Sequence, residues 1–331
     1  MRYRRHIVRK NLTESFPNKS QREIVEIEKR FYHSFLDVAL ETCKLLTLSK
    51  EEMMRRMRFV NVEAVNERME SGQSVGLYLG HFGNWEWISS FGLWLKPGMN
   101  KAQIFHKLQN KTMNRLMTEL RERMGGNDSV EMRDTVRYMV EAKQKEKPTV
   151  IGFIADQSPK RRVAKYFIPF LHHNTPVLTG TEKTIKHFDY WPIFGRVKRV
   201  KRGYYECEFI PLLRSNEEEN VKQVPDFELT NRYFALLEAE ITAHPELYLW
   251  THNGSPDIYR GKLFDSIENL YLCAMNNQGL LALAQLILPS EILSNFEVVR
   301  VEKEASLIRI YLDESVKADY KENPEIESKG F

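Results

Sequence analysis

Two short runs constrain the fold of this chain more than anything else in it. Val75-Gly76-Leu77-Tyr78-Leu79 and Thr149-Val150-Ile151-Gly152-Phe153-Ile154-Ala155 are almost wholly apolar and do not alternate. A strand with one wet face alternates, whereas a strand covered on both faces reads as a continuous apolar run. Each run gives way at once to polar residues, Gly80-His81 after the first and Asp156-Gln157 after the second. Helical patterns surround them, and strands alternating with helices call for an α/β layer built on a largely parallel sheet.

The helical patterns have recognisable starts. Ser20 with Glu23 forms a capping box ahead of Ile24, Ile27, Phe31, Phe35, Val38 and Leu45, which predicts a helix over 20–46. Ser49 with Glu52 opens a short second helix carrying Arg55, Arg56 and Arg58, a solvated face or a contact for a membrane or carrier protein. Further helices are expected over 84–95, 111–124, 134–145 and 227–243, and strands over 102–106, 167–170, 190–197 and 204–212. Residues 214–225 read as a charged loop and 247–251 as a short strand or turn. Alternation of Tyr205, Cys207, Phe209 and Pro211 gives the strand at 204–212 one exposed face.

After Asn253 the character changes. Gly254-Ser255-Pro256-Asp257 is rich in turn formers, and beyond it come a helical stretch at 280–288, a hairpin from 296–301 and 307–311, and a polar end at 317–331. The expected architecture is therefore a central mixed, largely parallel sheet flanked by helices over 1–253, followed by a small α+β tail over 254–331.

Charge and cysteine usage exclude several classes. The 49 Lys and Arg residues against 45 Asp and Glu give a formal charge of +4. That balance suits anionic partners such as phospholipid surfaces, phosphorylated sugars or an acidic carrier protein, and is too weak to imply nucleic acid. Cys43, Cys207 and Cys273 lie far apart with no CxxC pair, so neither a metal cluster nor a disulfide framework is expected. His106, His172, His173, His187 and His252 lack ligand spacing. The basic start, Arg2, Arg4, Arg5, Arg9 and Lys10, is followed by no apolar signal core, and no run approaches 18 apolar residues.

The chemistry concentrates at Gly80-His81-Phe82-Gly83-Asn84-Trp85-Glu86-Trp87, between a strand end and a helix start. In open α/β sheets ligands bind in the crevice outside the carboxyl ends of the strands. A histidine there with a carboxylate five residues on can serve as a base and its orienter, and the glycine and asparagine between them suit a turn that folds Glu86 back toward His81. The bland alternative is a histidine capping a core helix. No GxSxG elbow is present, which argues against a serine hydrolase. Trp85, Trp87, Phe91 and Trp94 supply apolar surface for core packing, an acyl pocket or a membrane interface.

His81, four residues, then Glu86 is the HX4(D/E) pattern of glycerolipid-type acyltransferases, and His81-Phe82-Gly83-Asn84-Trp85-Glu86 resembles the late acyltransferases of lipid A biosynthesis over about residues 3–253. The resemblance implies transfer of a fatty acyl chain from an acyl carrier protein thioester to a hydroxyl of a lipid A precursor, with His81 as base and Glu86 as its orienter. Another glycolipid or phospholipid acceptor fits the motif equally. It further implies catalytic roles for Arg123, favoured over Arg121 as the contact to a phosphate or oxyanion, and for Asp156. Asn84, Trp85, Arg121, Gln157 and Thr181 become candidates for holding substrate, and Lys198, Arg199, Lys201 and Arg202 a basic cluster facing lipid phosphates, carrier protein or solvent. No cofactor and no metal is called for. The family usually carries an N-terminal hydrophobic helix that is missing ahead of Tyr3, which places this form peripherally on the cytoplasmic face of the inner membrane, with its basic start facing anionic lipid. The tail, through Leu286-Ile287-Leu288-Pro289 and Ile292 to Glu297, resembles the N-terminal region of an ISAon1-type transposase. That implies a gene interrupted near residue 254 and leaves open an inactive fusion with a DNA-binding fragment.

Overall fold

The computed structural model describes residues 3–105, 107, 111–126, 128–159, 164–215, 217, 220–251, 296–304 and 307–314. The chain divides into two compact units, Met1–Ser266 and Ile267–Phe331.

The first unit is an α/β layer around a seven-stranded mixed sheet. Its strands are β1 (Met57–Val60), β2 (Val75–Leu79), β3 (Asn100–Phe105), β4 (Asp128–Glu131), β5 (Thr149–Ile154), β8 (Trp191–Lys201) and β9 (Tyr204–Pro211), in the order β1-β9-β8-β2-β5-β3-β4. The two apolar runs are neighbours at its centre. β2 pairs in parallel with β5 on one side and β8 on the other, and every residue of β2 is buried. Only the β8–β9 pair is antiparallel. In β9 Tyr205, Cys207 and Phe209 are buried while Glu206 and Glu208 are partly exposed, the one-wet-face pattern read from the sequence. A small hairpin, β6 (Phe167–Phe170) with β7 (His173–Pro176), stands apart from the sheet.

Helices α1 (Arg5–Ser15), α2 (Gln21–Lys44), α3 (Lys50–Arg56), α4 (Val62–Glu70), α5 (Lys111–Arg123), α6 (Thr135–Gln144), α7 (Gly180–Phe188) and α8 (Glu228–Ala243) complete the unit. The capping box is realised: the Glu23 N–H meets Ser20 Oγ and the Ser20 N–H meets the Glu23 carboxylate, so two donors orphaned at the helix start are satisfied. Ser49 Oγ accepts from the Glu52 N–H in the same way at α3. α2 buries Ile24, Ile27, Phe31, Phe35 and Val38 as its stripe predicts.

Two local expectations are corrected and a third is resolved. The helix expected over 84–95 is a 3-10 helix, Trp85–Leu93. Ser89 and Ser90 turn their hydroxyls back onto the carbonyls of Glu86 and Trp87, which competes with regular α geometry. The segment 247–251, expected as a short strand or turn, is both: it follows the 3-10 turn Pro245–Leu247 with a single antiparallel bridge from Tyr248 to Phe82 and then turns. β8 runs four residues further than its apolar pattern, because the charged residues past Val197 still pair with β9. Short α1, β1, α4, β4 and β7 were not legible at all. No helix among the described residues is long and apolar enough to cross a membrane.

In the second unit β10 (Phe296–Glu304) and β11 (Leu307–Glu314) form an antiparallel pair with a bulge at Val298/Arg300. The helix expected at 280–288, the turn at 254–257, the polar end at 317–331, His106 and His252 lie outside the described residues.

Candidate active site

The sheet register builds the centre of the site. Leu79 of β2 and Ile154 of β5 are direct partners at the carboxyl ends of adjacent parallel strands. The Ala155 N–H donates to the Leu79 carbonyl at 3.0 Å, so the pairing carries on past both strands. His81 and Asp156, each two residues beyond its strand, arrive side by side. His81 Nδ1 lies 2.7 Å from Asp156 Oδ1, and the His81 backbone N–H donates to Asp156 Oδ2 at 2.9 Å. An ionised carboxylate only accepts, so Nδ1 is the donor in this contact. The imidazole is 3% exposed and the Asp156 carboxylate 1%.

The loop after His81 is held from behind. The Gly83 N–H donates to the Leu247 carbonyl and the Leu249 N–H to that of His81, which ties the loop to the segment that follows α8. Gly83 has φ +62, and a Cβ there would lie 2.7 Å from Val197 Cγ1 of β8, so both backbone and space require glycine. Tyr233 of α8 donates its hydroxyl to the Leu79 carbonyl at 2.8 Å. Burial, with the Asp156 charge adding to it, raises the Tyr233 phenol well above its ordinary range, so it stays a donor.

Glu86 does something other than orient the imidazole. Its two carboxylate oxygens accept a fork from Arg121 of α5, Nε to Oε2 at 2.9 Å and Nη2 to Oε1 at 2.8 Å, with both side chains buried. The carboxylate on His81 Nδ1 is Asp156, from 75 residues away, and the expectation for Glu86 is corrected accordingly. Gly125, just past the end of α5, packs against Gly92 of the 3-10 helix. A Cβ on Gly125 would sit 3.2 Å from Gly92 Cα and 2.9 Å from the Ser89 carbonyl oxygen. That close approach brings Arg121, one turn earlier, onto Glu86.

Asn84 is fully buried and caps the 3-10 helix: its Oδ1 accepts from the Trp87 N–H and its Nδ2 donates to Glu41 Oε2 at 2.8 Å. Glu41 also accepts from the Tyr205 hydroxyl at 2.8 Å, and its backbone carbonyl accepts from Trp87 Nε1 at 3.0 Å. Burial pushes the Glu41 carboxyl above its usual range, with nearby Asp37 adding to it, against the hydrogen bonds from Tyr205 and Asn84. So the asparagine, expected to hold substrate, instead locks the motif to α2. Glu41 was missed, although a carboxylate interrupting the apolar stripe of α2 is a signal the sequence contained.

The family model for bacterial lipid A biosynthesis acyltransferases matches residues 1–254. The chain belongs to that family. A comparison with curated proteins finds no match.

Within this acyltransferase the remaining sequence candidates separate. Arg123, favoured over Arg121 from its position before a glycine, donates Nη1 to the carbonyls of Leu45 and Leu48, the latter at 2.9 Å. It satisfies carbonyls past the end of α2, and Arg121 is the arginine at the motif. Trp85 is buried with its ring edge-on to His81 at 5.4 Å between centroids, against a small cavity lined by Phe31, Phe35 and Val38. Trp87 and Phe91 are core, Phe91 packing on Phe59 and Phe209. Gln157 follows Asp156 and is half-buried. Thr181 lies in the first turn of α7, whose described contacts tie it elsewhere: Ile185 packs over Gly76 of β2, and Glu182 accepts from the N–H and hydroxyl of Thr230 on α8.

Proposed function

We infer that this chain moves a fatty acyl group from an acyl carrier protein thioester to a hydroxyl of a lipid A precursor, with His81 as general base and Asp156 as the residue that holds its tautomer. The observation that carries the reading is the His81–Asp156 pair at the carboxyl edge of the sheet, in a chain of this family. Nε2 of the neutral imidazole takes the acceptor's proton as the hydroxyl oxygen bonds to the thioester carbonyl carbon. The C–S bond then breaks and the imidazolium returns the proton to the departing carrier thiolate. Asp156 stabilises the transient imidazolium without itself being protonated. No serine nucleophile is required, because the donor is already an activated thioester.

The Glu86–Arg121 pair holds the 3-10 helix against α5 and so fixes the wall next to His81. The formal charge of +4 and a lipidic acceptor support a reaction at an anionic membrane surface, on the cytoplasmic face of the inner membrane. We read the chain beyond residue 254 as a separate tail with no part in the reaction.

The test is acyl transfer by the purified chain, with acyl carrier protein thioesters as donor and a lipid A precursor as acceptor, read by mass spectrometry. One acyl mass gained, lost in His81→Ala with an unchanged melting temperature, is the expected result. Full turnover in His81→Ala overturns the assignment, and a truncation after residue 254 that abolishes transfer overturns the reading of the tail.

A further inference from the structure

The antiparallel corner of the sheet does not stop where the parallel strands do. Tyr78 of β2 pairs with Phe194 of β8, so the level of His81 corresponds to Val197. β8 continues to Lys201 and returns through Arg202-Gly203 into β9. Four further residues at about 3.3 Å each carry the tip roughly 13 Å beyond the level of the imidazole, on the same edge of the sheet.

The register slips between Arg199 and Lys201, leaving Val200 unpaired in a bulge. A bulge re-aims a side chain, and Val200 is 61% exposed, the most exposed of the large apolar residues described. Lys198, Arg199, Lys201 and Arg202 flank it. β1 pairs Met57 with Tyr205 and Arg58 with Glu206, which sets the end of α3 beside the tip and adds Arg55, Arg56 and Arg58. The facing acids are Asp37, which takes Arg199 and Arg202, Glu52, which takes Arg55 and Arg56, and Glu206, opposite Lys198. Glu41, against Gly203 at the turn, and Glu208, beside Lys198 and Glu206, face the same corner, so seven cations meet five carboxylates.

The tip is also braced. Arg56 lies 4.8 Å and Lys201 4.2 Å from the centroid of the Tyr204 ring, and Arg202 reaches Asp37 at 2.8 Å.

We propose that the β8–β9 hairpin is the membrane-docking element of this enzyme, with Val200 entering the interface of an anionic bilayer and the flanking lysines and arginines meeting lipid phosphates. The proposal rests on the acyltransferase reading, since a lipid acceptor must be presented to the edge that carries His81. Its make-up decides between anionic partners. An exposed aliphatic side chain at the bulge of a braced hairpin, set among long cationic stems, suits a surface that is apolar below and anionic above, which an acidic protein helix is not. Such stems lie along the apolar layer while their charged ends stay at headgroup level.

The experiment is co-sedimentation of the full chain with vesicles of phosphatidylglycerol and phosphatidylcholine, against vesicles of phosphatidylcholine alone. Each cation near such a surface contributes roughly a fivefold factor in partitioning at moderate salt. Lys198→Gln with Lys201→Gln should therefore weaken binding to anionic vesicles roughly 25-fold. Val200→Asp should weaken binding and Val200→Leu preserve it. All of these variants should melt as the wild type does and transfer acyl groups normally to a detergent-dispersed acceptor. Wild-type vesicle binding by the double variant overturns the proposal. So does a variant that loses affinity for acyl carrier protein while binding vesicles unchanged. Absence of transfer to the dispersed acceptor by the wild-type chain counts against the acyltransferase reading alone, because vesicle binding is read independently of turnover.

Discussion

Asp156→Asn is the substitution whose outcome the geometry fixes most tightly. Asp156 accepts two hydrogen bonds from one residue, Oδ2 from the His81 backbone N–H and Oδ1 from the ring at Nδ1. Asparagine has one acceptor and one donor end. The backbone N–H can only donate, so the amide oxygen must go to it and the NH2 must face Nδ1. Nδ1 is then forced to accept, the ring proton moves to Nε2, and the base is lost with the fold intact. A carboxylate-to-amide change behind a catalytic histidine costs about 10⁴ in kcat where the same tautomer argument applies, or about 5.5 kcal/mol of transition-state stabilisation. Because both hydrogen bonds survive in altered form, stability should change by no more than about 1 kcal/mol.

The reasoning also orders the variants against ordinary expectation. Asp156→Ala leaves the ring free to adopt either tautomer, so it should retain more activity than the closer mimic, asparagine. The assay is single-turnover transfer from the carrier thioester, quenched and read by mass spectrometry, alongside denaturant unfolding. An Asn variant within tenfold of wild type, or one more active than Ala, refutes the tautomer argument. Loss of comparable size in Glu86→Gln at unchanged stability would return the orienting role to Glu86.

Other consequences follow from the same contacts. Glu86→Gln and Arg121→Gln should each cost about 3–5 kcal/mol in denaturant unfolding, because each leaves a buried charge without its counter-charge, and the double variant should lose much less than the sum. Arg123→Ala should cost less than about 1 kcal/mol, because Arg123 is exposed and water can reach the Leu48 carbonyl it leaves, with turnover per folded molecule unchanged. Gly83→Ala, at positive φ and against Val197, should destabilise by about 1–3 kcal/mol and lower kcat as the His81 loop shifts. Glu217 is held down at about 2 from 4.5, by its hydrogen bond from Arg232 first. A carboxyl with a depressed native pKa binds fewer protons folded than unfolded, so its stabilisation is present above about 4.5 and is lost as pH falls toward about 2. The stability gap between wild type and Glu217→Gln, followed by thermal melts, should close over that window.

The fold was legible where physics is local. A run of five buried residues, a Ser-x-x-Glu cap and an apolar stripe each depend on neighbours within a turn or a strand, and β2, β5 and α2 appeared where those signals put them. Elements without such signals did not. β1 and β4 are four residues long, and the charged residues Lys198 to Lys201 show no apolar strand pattern of their own, although β9 pairs with them.

The site divides along the same line, and the division explains which carboxylate the sequence points to. Glu86 sits five residues from His81, and proximity along the chain makes it the natural candidate. But a 3-10 helix starts at Trp85 and turns Glu86 toward α5, where the contact between Gly125 and Gly92 has brought Arg121. A buried carboxylate needs a counter-charge more than a buried neutral imidazole needs an anion, since an isolated charge out of water is the costlier of the two. Once Arg121 takes Glu86, the imidazole's orienter must come from another strand. Only parallel pairing of β2 with β5, in the register that sets Leu79 against Ile154, supplies one. Both halves of the pair were visible as polar residues ending apolar runs. The register that joins them is a property of the sheet, and no spacing within either segment encodes it.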